Sequence, residues 1–125
     1  MDRQSFDDGM ARLRGLFIRK LCDRHDRLEL LAQALAGHAD PVATTAEIEG
    51  ILHKIAGSAG SVGLHELGEE ASRLECLIRD QRALDRWNVA DIADGLDSFL
   101  DMSLDICEPV EDAAPSSVAP WAAVS

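Results

Sequence analysis

Tyrosine is absent from this sequence, and phenylalanine and tryptophan together make up only 4% of it. Leucine, isoleucine, valine and alanine must therefore fill the core, which suits packed helices better than a sheet. No apolar run approaches the roughly 18–20 residues that a bilayer-crossing helix needs. The opening stretch, MDRQSFDDGM, is too polar for a secretory signal. These absences lead to the expectation of a soluble, cytoplasmic protein with no membrane role.

Cysteine is scarce as well. Cys22, Cys76 and Cys107 are odd in number and widely spaced, matching neither a disulfide framework nor a paired-cysteine zinc pattern. They read as reduced thiols, each behaving as a small hydrophobe. His25, His38, His53 and His65 contain no pair spaced three or four apart, so no metal is expected. Basic residues are missing from Asn88 onward, whereas residues 1–27 carry seven of the twelve. The net charge of −11 excludes nucleic acid as an expected partner, because phosphate binding wants a basic surface.

What is present is helical periodicity in a chain of 125 residues, enough for one compact domain. A first stretch, about Met10 to Ala36, spaces Leu13, Leu16, Phe17, Leu21, Leu28, Leu31 and Leu35 as a core-facing stripe. Gly15 lies inside it and can set off a short extra N-terminal helix. Gly37 is the expected stop, with Pro41 beyond it. A second stretch starts near Thr44, which forms a capping-box spacing with Glu47, and ends around Val62 to Leu64. A third runs from His65 to about Asp80, and a fourth follows Asn88. Along the fourth, Asp91, Asp94, Asp97, Asp101 and Asp105 form an acidic flank that reads as a solvated face. The expected fold is all-α, an antiparallel four-helix bundle over residues 1–107. Residues 108–125 have three prolines and no period, and read as a flexible acidic, proline-rich tail.

The second stretch holds an oddity, ILHKIAGSAGSVGLHELGEEASRLE, where glycine recurs inside a helical pattern. Each such glycine costs about 1 kcal/mol relative to alanine. On a helical wheel with Ile48 at zero, Leu52, Ile55, Ala59 and Val62 fall within about 40° of it and form the buried stripe. His53 falls near 140°, with Gly60 near 120°, Gly57 near 180° and Gly50 near 200°, all angles being approximate. The glycines surround the histidine, and Ala56, three residues on, adds only a methyl. A glycine-loosened loop would give the same composition, but the apolar period runs through it unbroken.

An exposed imidazole on a cleared strip has few chemical uses. Acyl-transfer hydrolysis needs a nucleophile beside the base, yet Ser58 and Ser61 fall elsewhere on the wheel. The run GSAGSVG lacks the Gly-Lys-Ser/Thr ending of a phosphate-binding loop and follows no strand. One role needs a single imidazole: a neutral ring nitrogen attacking phosphorus and later passing the phosphoryl group on.

The residues from His53 to Glu75, HKIAGSAGSVGLHELGEEASRLE, resemble the histidine-containing phosphotransfer (HPt) domains of two-component phosphorelays. The resemblance rests on His53, the aliphatic Ile55 and Gly57-Ser58, followed by Leu67, Ala71, Leu74 and Glu75 in a Leu-x-x-x-Ala-x-x-Leu-Glu pattern. It implies a four-helix bundle in which His53 accepts and donates phosphoryl groups. The partners implied are receiver domains of response regulators or hybrid kinases, which bring their own magnesium. No cofactor is implied for this chain, nor any ATP site or kinase activity of its own. Gly57 becomes the neighbour that lets a receiver approach, with Gly50, Ala56 and Gly60 extending that surface. Many family members carry a lysine or arginine three residues after the histidine, where this chain has Ala56. Lys54 is the candidate substitute, or else an ordinary surface lysine. The expectation is a stand-alone, monomeric phosphorelay carrier. Its alternative is a docking module of the same fold that binds a receiver without transfer. The edges of the first helix and the tail with Trp121 are the surfaces that would support a dimer.

Overall fold

A computed structural model describes residues 3–107, and the stretch read as a tail lies outside the described residues. Four helices make up the described residues: α1 Arg3–Ala36, α2 Pro41–Ala59, α3 His65–Leu84 and α4 Val89–Cys107, with a 3-10 turn Gly60–Val62 after α2. No strand occurs among the described residues. Each helix packs antiparallel to the next. Arg27 meets Glu47 across α1 and α2, Glu49 meets Arg79 and Arg82 across α2 and α3, and His25 meets Ser103 across α1 and α4.

The apolar stripes close one core. Leu21 and Leu28 of α1, Ile48, Leu52 and Ile55 of α2, Leu67 and Ile78 of α3, and Ile92, Leu96 and Phe99 of α4 are all at most 1% exposed. The acidic flank of α4 is exposed throughout. Two glycines permit close helix approach: a Cβ on Gly68 would lie 3.3 Å from the Ala59 methyl, and one on Gly95 only 2.8 Å from the end of Leu74.

Several local details differ from the sequence expectation. α1 runs unbroken through Gly15, so the separate N-terminal helix is instead its first turns. Leu13 and Leu16, placed in the core stripe by spacing, are 54% and 45% exposed, because the end of α2 and the turn after it border them across a recess without covering them. α2 begins one turn before Thr44: Asp40 caps it by accepting from the Val42 amide at 3.2 Å, and Pro41 sits at the first position. Proline has no amide to lose there and a suitable fixed φ, so this start prevails over the Thr44 box. Glu47 is then free to receive Arg27 in a two-pronged pair at 2.6 and 2.8 Å. α1 ends through His38, not Gly37, in the left-handed region at φ 69°, with Ala39 N bonded to Ala34 O at 3.0 Å. Asp85, at φ 52°, closes α3 in the same way, one turn beyond the expected Asp80. Gly63, at φ 84°, ends the 3-10 turn in a conformation that only glycine adopts at no cost.

The cysteines also need correcting. Cys22 of α1 and Cys107 at the end of α4 form a disulfide, with Cα atoms 5.8 Å apart, while Cys76 is a free, exposed thiol. The partners are 85 residues apart in sequence. Only the antiparallel packing of α1 on α4 brings them together, and cysteine spacing carries no trace of that. No helix among the described residues is long and apolar enough to cross a membrane.

Candidate functional site

His53 stands past the middle of α2, on the side away from Leu52 and Ile55, with its side chain 70% exposed. Its Nδ1 lies 2.9 Å from Oε2 of Glu75 on α3, a carboxylate only 7% exposed. A carboxylate only accepts, so Nδ1 is the donor in this pair. In the neutral ring the lone pair then resides on Nε2, the nitrogen not engaged by Glu75. Glu75 thus selects the tautomer, as carboxylates beside functional histidines commonly do.

The carboxylate is itself held. Oε2 of Glu75 also accepts from Nη2 of Arg79 at 2.5 Å, one helical turn on. Arg79 Nε reaches back to Glu49 of α2 at 2.9 Å, and Arg82 pairs with the other Glu49 oxygen. A relay of charges, His53–Glu75–Arg79–Glu49–Arg82, therefore stitches α2 to α3 beside the histidine. Burial pushes the Glu49 carboxyl up, yet the hydrogen bonds and charges of Arg82 and Arg79 outweigh it and hold the group below the ordinary carboxylate range. Arg79 is raised in turn, chiefly by its hydrogen bond to Glu49 and the charge of Glu75.

This has a consequence for acid stability. A carboxyl whose folded pKa is depressed stabilises the fold fully above its unfolded pKa, near 4.5, and loses that contribution as pH falls below it. The urea midpoint is expected to fall between about pH 5 and pH 3, and to fall less steeply in Glu49→Gln. Equal slopes in the two proteins would show that the Glu49 pairs add nothing to the fold.

The surface around His53 is bare. A Cβ on Gly50 or on Gly57 would meet nothing within 4 Å. One on Gly60 would lie 3.7 Å from the His65 ring, so that position is less open than its place on the wheel suggests. A shallow recess of about 300 Å³ beside the imidazole is lined by His53, Ala56, Gly57, Ser72, Glu75, Cys76 and Arg79. It shares Ala56, Ser72 and Cys76 with a second recess of about 480 Å³ that continues to Gly60, His65 and Arg73. Ser58 and Ser61 spend their hydroxyls on backbone carbonyls, at 3.2 and 2.9 Å, and face no general base.

Lys54 is exposed and joins none of the ion pairs among the described residues. The cation that the fold brings against the site is Arg79, which sequence reasoning missed. Its signal was available: Glu75 and Arg79 have the i,i+4 acid-to-base spacing of a helix pair, although Arg79 lies four residues beyond the end of the recognised pattern. Nothing in the sequence, by contrast, showed that Glu75 would reach His53. His25, in contrast to His53, is buried: it bonds Ser103 at 2.5 Å between α1 and α4 and is 4% exposed. Its Nε2 makes no hydrogen bond, although Glu29 lies 3.4 Å away. It is part of the packing, out of reach of any partner.

The sequence matches the family model of the Hpt domain over residues 12–114, which is most of the chain. The chain belongs to the Hpt domain family. No curated protein and no solved structure matches it. Membership supports a phosphotransfer role in two-component signalling, exercised on receiver domains, by a phosphocarrier of the non-kinase type. In this Hpt domain the bundle leaves the His53 imidazole uncovered, with its side chain 70% exposed. α2 supplies the ring, α3 the carboxylate behind it, and the missing side chains on either side leave the front open.

Proposed function

We propose that His53 Nε2 receives a phosphoryl group from the aspartyl phosphate of one receiver domain and delivers it to the aspartate of another. The Nε2 lone pair attacks phosphorus; a P–N bond forms while the P–O bond to aspartate breaks, and the carboxylate leaves with that electron pair. The ring proton stays on Nδ1, so the phosphorylated ring is cationic and faces the Glu75 carboxylate. Delivery runs the same step in reverse on the second receiver. Magnesium belongs to the receiver in this scheme, and the chain binds no cofactor and no ATP. Gly50, Ala56, Gly57 and Gly60 form the surface against which the receiver sits.

The observation that carries this reading is the pairing of an exposed imidazole with a buried carboxylate on Nδ1, which leaves Nε2 as the nucleophile. The test mixes the protein with a phosphorylated receiver and magnesium and looks for acid-labile, base-stable label. Wild type is expected to take up label, and His53→Gln none. A folded protein that binds receivers yet stays unlabelled would instead be a docking module.

Two cations are candidates to offset the phosphoryl charge where Ala56 offers none: Arg79, anchored by Glu75 and Glu49, and Lys54, curling back from the next position. An exposed cation near an anion has a modest effect, about two- to five-fold in the lifetime of the phosphohistidine. Lys54→Ala is expected to shorten that lifetime within this range, and Arg79→Ala at least as much. An unchanged lifetime in Lys54→Ala would remove Lys54 from the site.

A further inference from the structure

α1 is longer than its role in the bundle requires. It has 34 residues against 19 or 20 for the other three, so it is about 20 Å longer at 1.5 Å per residue. No residue before Phe17 is buried. On these first turns Phe6, Leu13 and Leu16 are 57%, 54% and 45% exposed, and they lie within about 80° of one another on the helix. Gly9 and Gly15 weaken the same segment, and an isolated helix shorter than about 12–15 residues is marginal in water even without glycine. A stripe of large apolar residues on such a helix gains stability only from a second surface laid along it.

The charges say what that surface is. Asp7 and Asp8 precede Met10, and Arg12 and Arg14 follow it; none of the four takes part in an ion pair of the structure. The pattern is complementary to itself when reversed. On the wheel Asp8 and Arg12 flank one edge of the stripe, whereas Asp7 and Arg14 line a recess with Val62 and Gly63 of the same chain. Two copies crossing antiparallel near Met10 place Asp8 of each opposite Arg12 of the other, whereas a parallel crossing sets like against like. An isologous contact of this kind closes on itself as a two-fold dimer. In that crossing, Phe6 of the second copy comes opposite Leu13 and Leu16, where a recess of about 330 Å³ opens between α1 and α2.

We propose that the N-terminal turns of α1 are the interface of a homodimer, formed by antiparallel crossing with a second copy of this chain. This departs from the monomer expected from the sequence. The interface is small, and interfaces below about 1,200 Å² are weak or transient, so the dimer belongs to the micromolar range or weaker.

Sedimentation velocity of the full chain between about 10 µM and 0.5 mM is expected to show a reversible shift from monomer to dimer. Leu13→Asp should abolish the shift without altering the helical signal or the cooperativity of unfolding. The charges allow a sharper test. Asp8→Arg makes that edge of the stripe basic at both positions and Arg12→Asp makes it acidic at both, so each alone should lose several-fold in self-association. Mixed in equal amounts, the two variants should associate again, as a heterodimer. A wild type that stays monomeric throughout overturns the proposal and leaves the stripe to another occupant, such as a receiver or the chain beyond Cys107. A dimer indifferent to Leu13→Asp, or a mixture that fails to associate, overturns it equally.

Discussion

Glu75→Ala is expected to slow phosphoryl transfer through His53 by about 10- to 100-fold while leaving the helical bundle intact, by analogy with the loss when carboxylates that orient metal-ligating histidines are removed. Two losses combine in that number. Without a carboxylate on Nδ1, the ring no longer favours the tautomer with its lone pair on Nε2, and it rotates more freely on a 70% exposed side chain. The phosphorylated, cationic ring also loses the anion beside it. Glu75→Gln separates these contributions. Its amide oxygen still accepts from Nδ1 and so keeps the orientation, but it brings no charge, and charge-assisted hydrogen bonds are about twice as strong as neutral ones. Its rate should therefore fall between wild type and Glu75→Ala. The fold survives because Arg79, which loses one partner, keeps Glu49 at 2.9 Å. Single-turnover transfer from a phosphorylated receiver, with receiver affinity measured separately, is the check. A Glu75→Ala protein that transfers at the wild-type rate would leave His53 as a nucleophile that needs no orientation, and the 2.9 Å contact as packing.

The division between what the sequence shows and what it hides follows the physics of each feature. Helical stripes are local and periodic, so Leu52, Ile55 and Ala59 were legible as core and His53 as lying off it, and the structure buries the first three completely. The orienting carboxylate was not legible, because Glu75 reaches His53 only through the antiparallel packing of α3 on α2, 22 residues away. The same holds for Cys22 and Cys107, which α1 and α4 bring side by side. Competing local signals explain the misplaced start of α2. Thr44–Glu47 and Asp40–Pro41 both satisfy capping rules, and the earlier pair prevails because Pro41 has no amide to lose at the first helical position, which leaves Glu47 to Arg27 of another helix. Periodicity misled in the case of Leu13 and Leu16: it marks an apolar face, but not whether the rest of the bundle covers it. The left-handed caps at His38 and Asp85 were missed because glycine is the usual residue there, and Gly37 stood one position too early.

Gly57 offers a test in which stability and function should move in opposite directions. Nothing lies within 4 Å of the point where its Cβ would be, and the backbone there is plain helix. Gly57→Ala should therefore stabilise the fold by about 0.5–1 kcal/mol, the ordinary gain from replacing glycine in a helix interior. If the bare surface existed only to loosen the chain, transfer would be indifferent to that change. A docking surface behaves otherwise. For the phosphoryl group to move, the reacting atoms must come within about 3–3.5 Å in line, so the receiver must lie almost against the helix at this position. One methyl at Gly57 is expected to slow transfer several-fold, and Gly57→Leu, which projects toward His53 from one turn away, by about 100-fold or more, mainly through lost receiver affinity. Gly60→Ala, at the edge of the same surface, should slow transfer less than Gly57→Ala, since His65 already stands 3.7 Å from its would-be Cβ and part of that space is taken. Thermal midpoints alongside receiver-binding isotherms would give both axes. A Gly57→Leu protein that binds and transfers like wild type would mean that receivers approach His53 from another side, and the recess lined by Ser72 and Cys76 would then be the route to examine.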